Sequence, residues 1–314
     1  MSFSENLLQL KKQAMAQAGP MFAHIDSIAE ANTLKVLDAM RECQVSEAHF
    51  NTTSGYAYDD IGRSKIEELF AKVFGAERAL VRTNFVSGTH ALATVLFGIL
   101  RPGDKLVSIT GAPYDTMQTV IGYANESPGS LKEFGVLYDE LEMIDGKVDM
   151  AGIAGKITPN TKMVLIQRSR GYSMRNPLTI EEIEAICQEV KKVKPDCICF
   201  VDNCYGEFVD TKEPVQAGAD IMAGSLIKNP GGGVALTGGY IAGRSDLVEL
   251  CSYRLTAPGM GDELGASLAN NRMIFQGFFL APHVVAQAIK GAVFAAALFA
   301  LLGYKTLPLP TDVR

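Results

Sequence analysis

The residues of this sequence that could carry out chemistry lie just after apolar runs. Lys228 stands in GSLIKNPGGG (224–233), before an Asn-Pro pair and three glycines. A lysine at the end of a buried strand is partly removed from water, so its pKa falls and its amine becomes nucleophilic. The alternative is an ordinary lysine on a surface turn. The neighbouring strand ends decide between the two interpretations.

Two further strand ends carry a carboxylate and an aromatic ring. Asp202 follows CICFV, and a carboxylate at the end of so apolar a run is costly unless it is paired. A cation would pair it, either a metal ion or a protonated ring nitrogen. Tyr114 follows DKLVSIT and precedes a helix, where its ring can stack on a flat ligand. Taken alone, Tyr114 is equally well a tyrosine that covers a loop.

Small and hydroxyl residues at two other strand ends suit an anion. Ser87-Gly88-Thr89 opens a helix after RALVRTNFV, and the free N–H groups of a helix N-terminus bind phosphate. The simpler interpretation is a plain N-cap. Ser225 follows ADIMAG, and the glycines at 231–233 let the backbone pass close to a ligand.

One ligand explains these groups better than four separate explanations do. A phosphate cradle, a stacking ring, an acid for a ring nitrogen and an imine-forming lysine together describe a pyridoxal 5′-phosphate site. In that site Asp202 keeps the pyridine nitrogen protonated. Lys228 holds the cofactor, gives way to the substrate amine and then moves protons.

Short apolar strands alternate with amphipathic helices between residues 63 and 225, which predicts an α/β fold with a mainly parallel sheet covered by helices. Ligands of such sheets bind beyond the carboxyl ends of the strands, where the residues above stand. GVALTGGYIAG (233–243) predicts a β-hairpin that turns at Gly238-Gly239. GAVFAAALFALLG (291–303) is too short to span a membrane and predicts a buried helix.

Composition narrows the class of protein. The 314 residues carry a formal net charge of −6, which argues against a general nucleic-acid binder. The N-terminal residues have no apolar segment of the kind that signals secretion, and we expect a cytoplasmic protein with no membrane partner. The six cysteines do not form a metal-ligand pattern with the four histidines. We interpret them as buried free thiols and expect no metal.

Several blocks resemble one family. FVDNCYGEFVD followed by GADIMAGSLIKNPGGG resembles the aspartate and lysine blocks of fold-type I pyridoxal phosphate enzymes. More narrowly, they are similar to the aluminium-resistance protein family, which is cystathionine β-lyase/methionine γ-lyase-like. GYAYDDIGR, VSGTHA, GAPYDTMQTVIG and IQRSRGYSMR resemble further blocks of that family, in the same order along nearly the whole chain.

The resemblance implies a role for each strand-end residue. Lys228 is the aldimine lysine, Asp202 contacts the pyridine nitrogen and Tyr114 stacks on the ring. Ser87, Gly88, Thr89 and Ser225 hold the phosphate. Tyr56 or Tyr58, with Arg63, matches the loop that in related lyases reaches the phosphate of a neighbouring subunit, which implies a homodimer or homotetramer with shared sites; ordinary loop packing is the alternative. Arg168 and Arg170 are both candidates to face the site.

Two departures from the family pattern affect the prediction. Ile227 precedes the lysine where related lyases often have a hydroxyl residue. Family members continue into a small C-terminal domain that grips the substrate carboxylate, and we expect that domain to be largely missing here. The predicted segments are a helical and dimer-contact segment (1–60), the cofactor-binding large domain (61–276) and a helix leading into the truncated small domain (277–314).

The leading hypothesis is a pyridoxal phosphate-dependent carbon–sulfur lyase acting on a sulfur amino acid. Another pyridoxal phosphate reaction, such as transamination or a different elimination, is the first alternative, because one carbanion serves all these routes. A truncated chain that binds cofactor without turnover is the second. A nicotinamide-dependent dehydrogenase is weaker, since the glycines at 231–239 do not open a helix in the dinucleotide spacing.

Overall fold

The computed structural model of the chain describes residues 5–56, 58–123 and 127–314. Its helices are α1 (Glu5–Glu42), α2 (Ile61–Phe74), α3 (Gly88–Ile99), α4 (Asp115–Ile121), α5 (Ile153–Lys156), α6 (Ile180–Val193), α7 (Ser245–Leu255) and α8 (Asn271–Leu301). Its strands are β1 (Arg78–Arg82), β2 (Lys105–Ser108), β3 (Leu137–Glu140), β4 (Met143–Ile144), β5 (Lys147–Val148), β6 (Thr161–Gln167), β7 (Ile198–Asp202), β8 (Ile221–Ser225) and β9 (Gly239–Gly243).

Seven strands form one sheet in the order β1-β9-β8-β7-β6-β2-β3. The central pairs are parallel, and β9 alone runs antiparallel to both of its neighbours. Strand β7 is buried along its whole length and apolar up to its last residue, Asp202, as expected when helices cover both faces of a sheet. The predicted α/β fold with a mainly parallel sheet is therefore confirmed.

The predicted hairpin at 233–243 is wrong. Residues 239–243 form the single strand β9, inserted between β1 and β8, and residues 233–238 are not a strand. Gly238 does turn the chain, with φ +109°, but a side chain there would collide with the Arg82 carbonyl oxygen at 2.8 Å. Glycine is needed at this point for a close backbone approach rather than for a hairpin turn.

Each face of the sheet buries its own apolar cluster. Helices α3 and α7 cover one face, with Leu92, Phe200 and Ile221 among the buried residues. Helices α2, α6 and the start of α8 cover the other face, where the rings of Phe70 and Phe278 stack at 3.9 Å between centroids. Side chains along β7 point alternately to the two faces of the sheet. Asp202 therefore lies on the face covered by α3, and Asn203, the next residue, lies on the opposite face.

Helices α1 and α8 pack against each other beside the sheet, through small and branched residues such as Ala18, Ile25, Ala286 and Val293. Of the predicted buried helix at 291–303, only Val293 and Ala297 are buried, so the prediction is right in its helix and wrong in its burial. By length and composition alone, α8 could cross a membrane, and 22% of its most apolar 18-residue window is buried. The predicted boundary between residues 276 and 277 falls inside α8.

Candidate active site at the carboxyl edge of the sheet

Three neighbouring strands end together and bring the predicted site residues to one edge. Gln167 at the end of β6 pairs in register with Asp202 at the end of β7, which pairs in turn with Ala223 of β8. Ser225 is the last residue of β8. Because parallel strands present their carboxyl ends on the same side, residues far apart in sequence meet here.

Lys228 lies in a tight turn just beyond β8. Its backbone N–H donates to the Ser225 carbonyl at 3.2 Å, and its ammonium lies 4.2 Å from the centre of the Tyr205 ring. Burial lowers the pKa of Lys228, but the acidic groups of Cys204, Tyr205 and Asp202 outweigh this effect and raise it. The prediction of a lowered pKa is therefore wrong, since these neighbours come from another strand end and oppose the desolvation.

Asp202 is almost completely buried, with 4% of its surface exposed. Its Oδ1 accepts a hydrogen bond from the Cys204 N–H at 3.1 Å. Burial raises the pKa of this carboxyl group, and contacts with Cys204 and Lys228 offset only part of the rise. A buried carboxylate in this position gains most from a cationic ligand, such as a protonated ring nitrogen.

The predicted phosphate cradle has the geometry of an anion site. Ser87 is the N-cap of α3, and its hydroxyl accepts from the His90 N–H at 3.1 Å. A side chain at Gly88 would lie 3.1 Å from Ser225 Cβ and 3.3 Å from Cys204 Sγ, so glycine keeps this end of the helix close to β8. Ser225 Oγ is buried without a hydrogen-bond partner among the described residues.

That orphaned hydroxyl lies beside the N-terminus of a twelve-residue helix, so the cradle fits a phosphate group. Tyr114 closes the adjacent side of the site. Its hydroxyl lies 3.1 Å from Thr89 Oγ1, and its backbone N–H donates to Gln167 Oε1 at 3.1 Å. Burial raises the pKa of Tyr114, which keeps its hydroxyl neutral. The structure thus brings the hydroxyl of Thr89, a residue predicted to hold the phosphate, into contact with Tyr114.

The three residues predicted to reach a neighbouring subunit, two tyrosines in the loop before α2 and an arginine in α2, differ in their exposure. The Tyr56 and Tyr58 side chains are exposed, and their ring centres are 6.4 Å apart. Arg63 is buried, and its guanidinium donates to the carbonyls of Gly265 at 2.7 Å and Glu263 at 3.0 Å in its own chain. The two tyrosines are thus at the surface and Arg63 is inside. Contact of all three with a neighbouring subunit stays a prediction.

Two residues of the site, Cys204 and Tyr205, were not predicted from the sequence. Cys204 lies between Gly88 and Asp202, and its burial raises the pKa of its thiol well above the usual range. Tyr205 lies beneath the Lys228 ammonium in a left-handed conformation, with φ +69°. Both lie within three residues of Asp202, so the search for polar residues just after apolar strands that selected Asp202 would have found them if it had included the next three residues.

A buried polar network lies on the opposite face at the same edge. The Asn203 side-chain amide donates to Glu213 Oε2 at 2.9 Å and lies 3.3 Å from the Tyr240 hydroxyl, which donates to Glu207 Oε1 at 2.7 Å. The Arg168 guanidinium donates to Asn203 Oδ1 at 2.9 Å and lies 3.7 Å from Glu213. We call these five residues the Asn203 network. Arg168 is thereby held inside the protein, whereas Arg170 lines cavities at the edge.

Among the cysteines, all six are free and buried, as predicted. No group of three or more histidine, cysteine or acidic residues that could hold a metal is found within residues 5–56, 58–123 and 127–314.

Comparison with known proteins gives a consistent result. The methionine gamma-lyase family model matches residues 7–314. The uncharacterized protein YnbB of Bacillus subtilis (strain 168) is 50% identical over 304 residues, which cover 95% of this chain and 72% of that protein. The structure of a carbon-sulfur lyase involved in aluminum resistance from Clostridium novyi NT is 47% identical, with a TM-score of 0.96, and the match covers 99% of this chain and 75% of that one.

The fold itself recurs at lower identity. The pyridoxal-5′-phosphate dependent protein YhfS of Escherichia coli superposes with a TM-score of 0.65 at 15% identity, over 89% of this chain and 70% of that one. At that identity the likeness concerns the fold alone.

Proposed function

This chain belongs to the methionine gamma-lyase family and has the fold of fold-type I pyridoxal phosphate enzymes, and from that premise we propose that it is a pyridoxal phosphate-dependent carbon–sulfur lyase acting on a sulfur amino acid. The predicted family resemblance is confirmed by these matches. The observation that carries the proposal is the convergence at one sheet edge of Lys228, buried Asp202 and the Ser225 hydroxyl, which has no hydrogen-bond partner among the residues the structure describes.

The residues at this edge would hold the cofactor as follows. Ser225 and the α3 N-terminus, with Ser87, Gly88 and Thr89, bind the phosphate. Asp202 pairs with the protonated ring nitrogen, which supplies the cation that its burial favours. Tyr114 presents its ring to the face of the pyridine.

The bound cofactor supplies an electron sink for the pair released at the substrate α-carbon. Lys228 Nζ would hold the cofactor and, once the substrate amine had taken its place, could move a proton from one carbon of the substrate to another. The Tyr205 ring beneath Nζ, 4.2 Å away, limits where the amine can move and keeps water from that side. The neutral Tyr114 hydroxyl stays within reach of Thr89 as a proton donor.

We also propose a homodimer or homotetramer in the cytoplasm, with neither nucleic acid nor membrane as a partner. The exposure of Tyr56 and Tyr58, whose ring centres lie 6.4 Å apart, supports a contact with a second copy, since aromatic side chains are enriched at protein–protein interfaces. The buried position of Arg63 supports a role for it in fixing the Tyr58 backbone, whose carbonyl it contacts at 3.3 Å.

Visible absorbance tests the cofactor half of the proposal. Protein incubated with pyridoxal phosphate and then dialysed is expected to retain an absorption band above the free-cofactor baseline. Lys228→Ala should abolish the retained band, and the exposed Lys212→Ala should leave it unchanged. A wild-type protein without the band, or a band that survives Lys228→Ala, would contradict the proposal.

Product analysis tests the reaction. With sulfur amino acids, release of thiol or sulfide together with ammonia and a keto acid is the expected result. A keto acid formed only when an amino-group acceptor is present would indicate transamination instead. A retained band without any product would indicate a cofactor-binding chain that does not turn over.

A further inference from the structure

Cys204 lies between the two charged residues of the proposed cofactor site. Its backbone N–H donates to Asp202 Oδ1 at 3.1 Å, so the chain turns back toward that carboxylate. The Cys204 thiol donates a hydrogen bond to the same carboxylate and accepts one from the Lys228 ammonium. A side chain at Gly88 would lie 3.3 Å from Sγ, so the start of α3 encloses the thiol as well. Cys204 thus connects Lys228 with Asp202 inside the protein.

The proton on Lys228 stands in the way of cofactor binding. A protonated amine has no lone pair with which to attack a carbonyl carbon, so Lys228 must lose one proton before it can bind the cofactor. Its acidic neighbours raise the pKa of Lys228, which makes this loss harder. Burial also makes an unpaired negative charge on Asp202 costly. One proton moved from Lys228 to Asp202 would neutralise both groups at once.

Other groups around the Lys228 ammonium are less suited to carry that proton. The Tyr205 ring presents its face to Nζ, 4.2 Å away, and a ring face has no proton to exchange. Glu207 belongs to the Asn203 network on the opposite face of the sheet. Cys204 differs from both because its hydrogen bonds reach the ammonium and the buried carboxylate.

The surroundings of the thiol determine how the proton can pass. Burial, with the negative charges of Asp202 and Glu207, raises the pKa of Cys204 well above its usual range, so a free thiolate is disfavoured. The two transfers therefore occur together: Nζ gives one proton to Sγ while the thiol proton passes to the Asp202 carboxylate. An ammonium, a thiol and a carboxylate become a neutral amine, a thiol and a carboxylic acid. No net charge is created inside the protein.

We propose that Cys204 relays a proton from Lys228 to Asp202 and thereby frees the lysine amine to bind the cofactor. This inference rests on the proposed function, because it takes pyridoxal phosphate to be the ligand. The relay acts before any substrate binds, so it can be measured without an amino acid and without turnover.

The rate of cofactor uptake tests the relay. Cofactor-free protein is mixed rapidly with an excess of pyridoxal phosphate, and the growth of the protein's cofactor absorption band gives the rate. Cys204→Ala should slow uptake by roughly a hundredfold, the lower end of what a positioned proton-transfer group contributes. The final height of the band should stay close to that of the wild type, since the thiol ends the transfer as it began it.

Two further measurements distinguish a relay from a residue that only fills space. Cys204→Ser keeps a group that can both donate and accept a hydrogen bond, so it should recover much of the lost rate. Imidazole, added at constant pH and ionic strength, can carry the proton instead and should speed uptake by Cys204→Ala but not by the wild type. Cys251→Ala is the matched control, because that thiol is buried in the apolar cluster of the same face, and it should take up cofactor at the wild-type rate.

Uptake by Cys204→Ala at the wild-type rate would overturn the inference. So would slow uptake by Cys204→Ala that neither the serine variant nor imidazole restores, since the thiol would then only support the shape of the site. Failure of the proposed function looks different, because the wild type itself would acquire no cofactor band, and the inference would fall with it.

Discussion

The two faces of the sheet treat polar groups differently at the same edge. On the α3 face, Ser225 Oγ is buried and has no hydrogen-bond partner in the described part of the chain, and Asp202 accepts a hydrogen bond from the Cys204 N–H in the loop that follows it. On the opposite face, the side chains of the Asn203 network bind one another. On a face that binds a ligand, buried polar groups can lack hydrogen-bond partners until the ligand supplies them. On a face with only a structural role, the polar groups form hydrogen bonds with one another.

This difference has a consequence for stability. Polar groups on the ligand face cost free energy while no ligand binds, so their removal should stabilise the empty protein. Polar groups in the Asn203 network support one another, so their removal should destabilise it. The four predictions below test this reversal of sign, and all of them compare free energies of unfolding of cofactor-free protein.

The largest effect is expected in the Asn203 network. Glu213→Ala removes the carboxylate that binds Asn203 and the Phe208 N–H, and leaves the buried Arg168 charge uncompensated. Loss of one partner of a buried ion pair costs about 3–5 kcal/mol. Urea denaturation at pH 7 should show this decrease, whereas Glu189→Ala on the surface of α6 should change the unfolding free energy by less than about 0.5 kcal/mol. A small effect at Glu213 would remove the contrast between the two faces.

The position of residues just after apolar strands explains why the site residues on the α3 face were predictable from the sequence and the Asn203 network on the opposite face was not. Lys228, Asp202, Tyr114, Ser225 and the 87–89 triplet each follow an apolar run, so the topology of a parallel sheet collects them at one edge. The Asn203 network joins residues that are far apart in sequence, such as Asn203 and Tyr240 at 37 positions, through side chains whose spacing carries no pattern. Glu207 meets Tyr240 only because β9 lies beside β8, and the sequence predicted a hairpin there instead.

The sequence also did not predict how much of the C-terminal part of α8 is exposed. The apolar run at 291–303 predicts a helix, and a helix forms, but burial depends on how many elements pack around it. Within the described residues, α1 packs on that end of α8 at Val293, and most of the other apolar side chains of residues 291–303 are at least partly exposed. Composition reports how apolar a helix is and not how much of it the tertiary structure covers.

The second prediction concerns Glu207, which is the exception within the Asn203 network. Its Oε1 accepts from Tyr240, but Oε2 is buried without a partner among the described residues. Burial raises the pKa of Glu207 to about 8, with Glu213 adding to the rise and Tyr240 and Lys228 opposing it. A carboxyl group with a raised folded-state pKa stays protonated while the unfolded chain ionises.

Stability should therefore fall as pH rises from about 4.5 to about 8, by up to about 1.4 kcal/mol per pH unit from this group, and then level off. Glu207→Gln should flatten that part of the profile and make the protein more stable than the wild type at pH 8. Denaturation curves at pH 5, 6, 7 and 8 measure the slope. An unchanged slope in the variant would place the proton on another group.

The third prediction moves to the ligand face. Asp202→Asn removes a buried carboxylate whose pKa is raised by burial, so the empty protein should become more stable at pH 8, where the wild-type unfolded chain is stabilised by ionising this group. The same change should weaken pyridoxal phosphate binding by roughly tenfold or more, because a neutral amide lacks the negative charge that stabilises a protonated ring nitrogen. Denaturation of the empty protein and cofactor titration together give both signs. A variant that is less stable when empty would show that Asp202 supports the fold rather than a ligand.

The smallest effect is the most specific, because it isolates one hydroxyl. Ser225→Ala removes a buried oxygen that has no partner within residues 5–56, 58–123 and 127–314, and should leave the empty protein as stable as the wild type or more stable by about 0.5–1 kcal/mol. Ser108→Ala is the matched control on the same sheet: its buried hydroxyl donates to the Gly111 carbonyl at 2.6 Å, and its loss should cost about 1 kcal/mol. Pyridoxal phosphate should then raise the melting temperature of Ser108→Ala as much as that of the wild type, and that of Ser225→Ala by less. If both serine variants lose stability equally, the Ser225 hydroxyl has a partner in the protein, and the α3 face is no more prepared for an anion than its opposite.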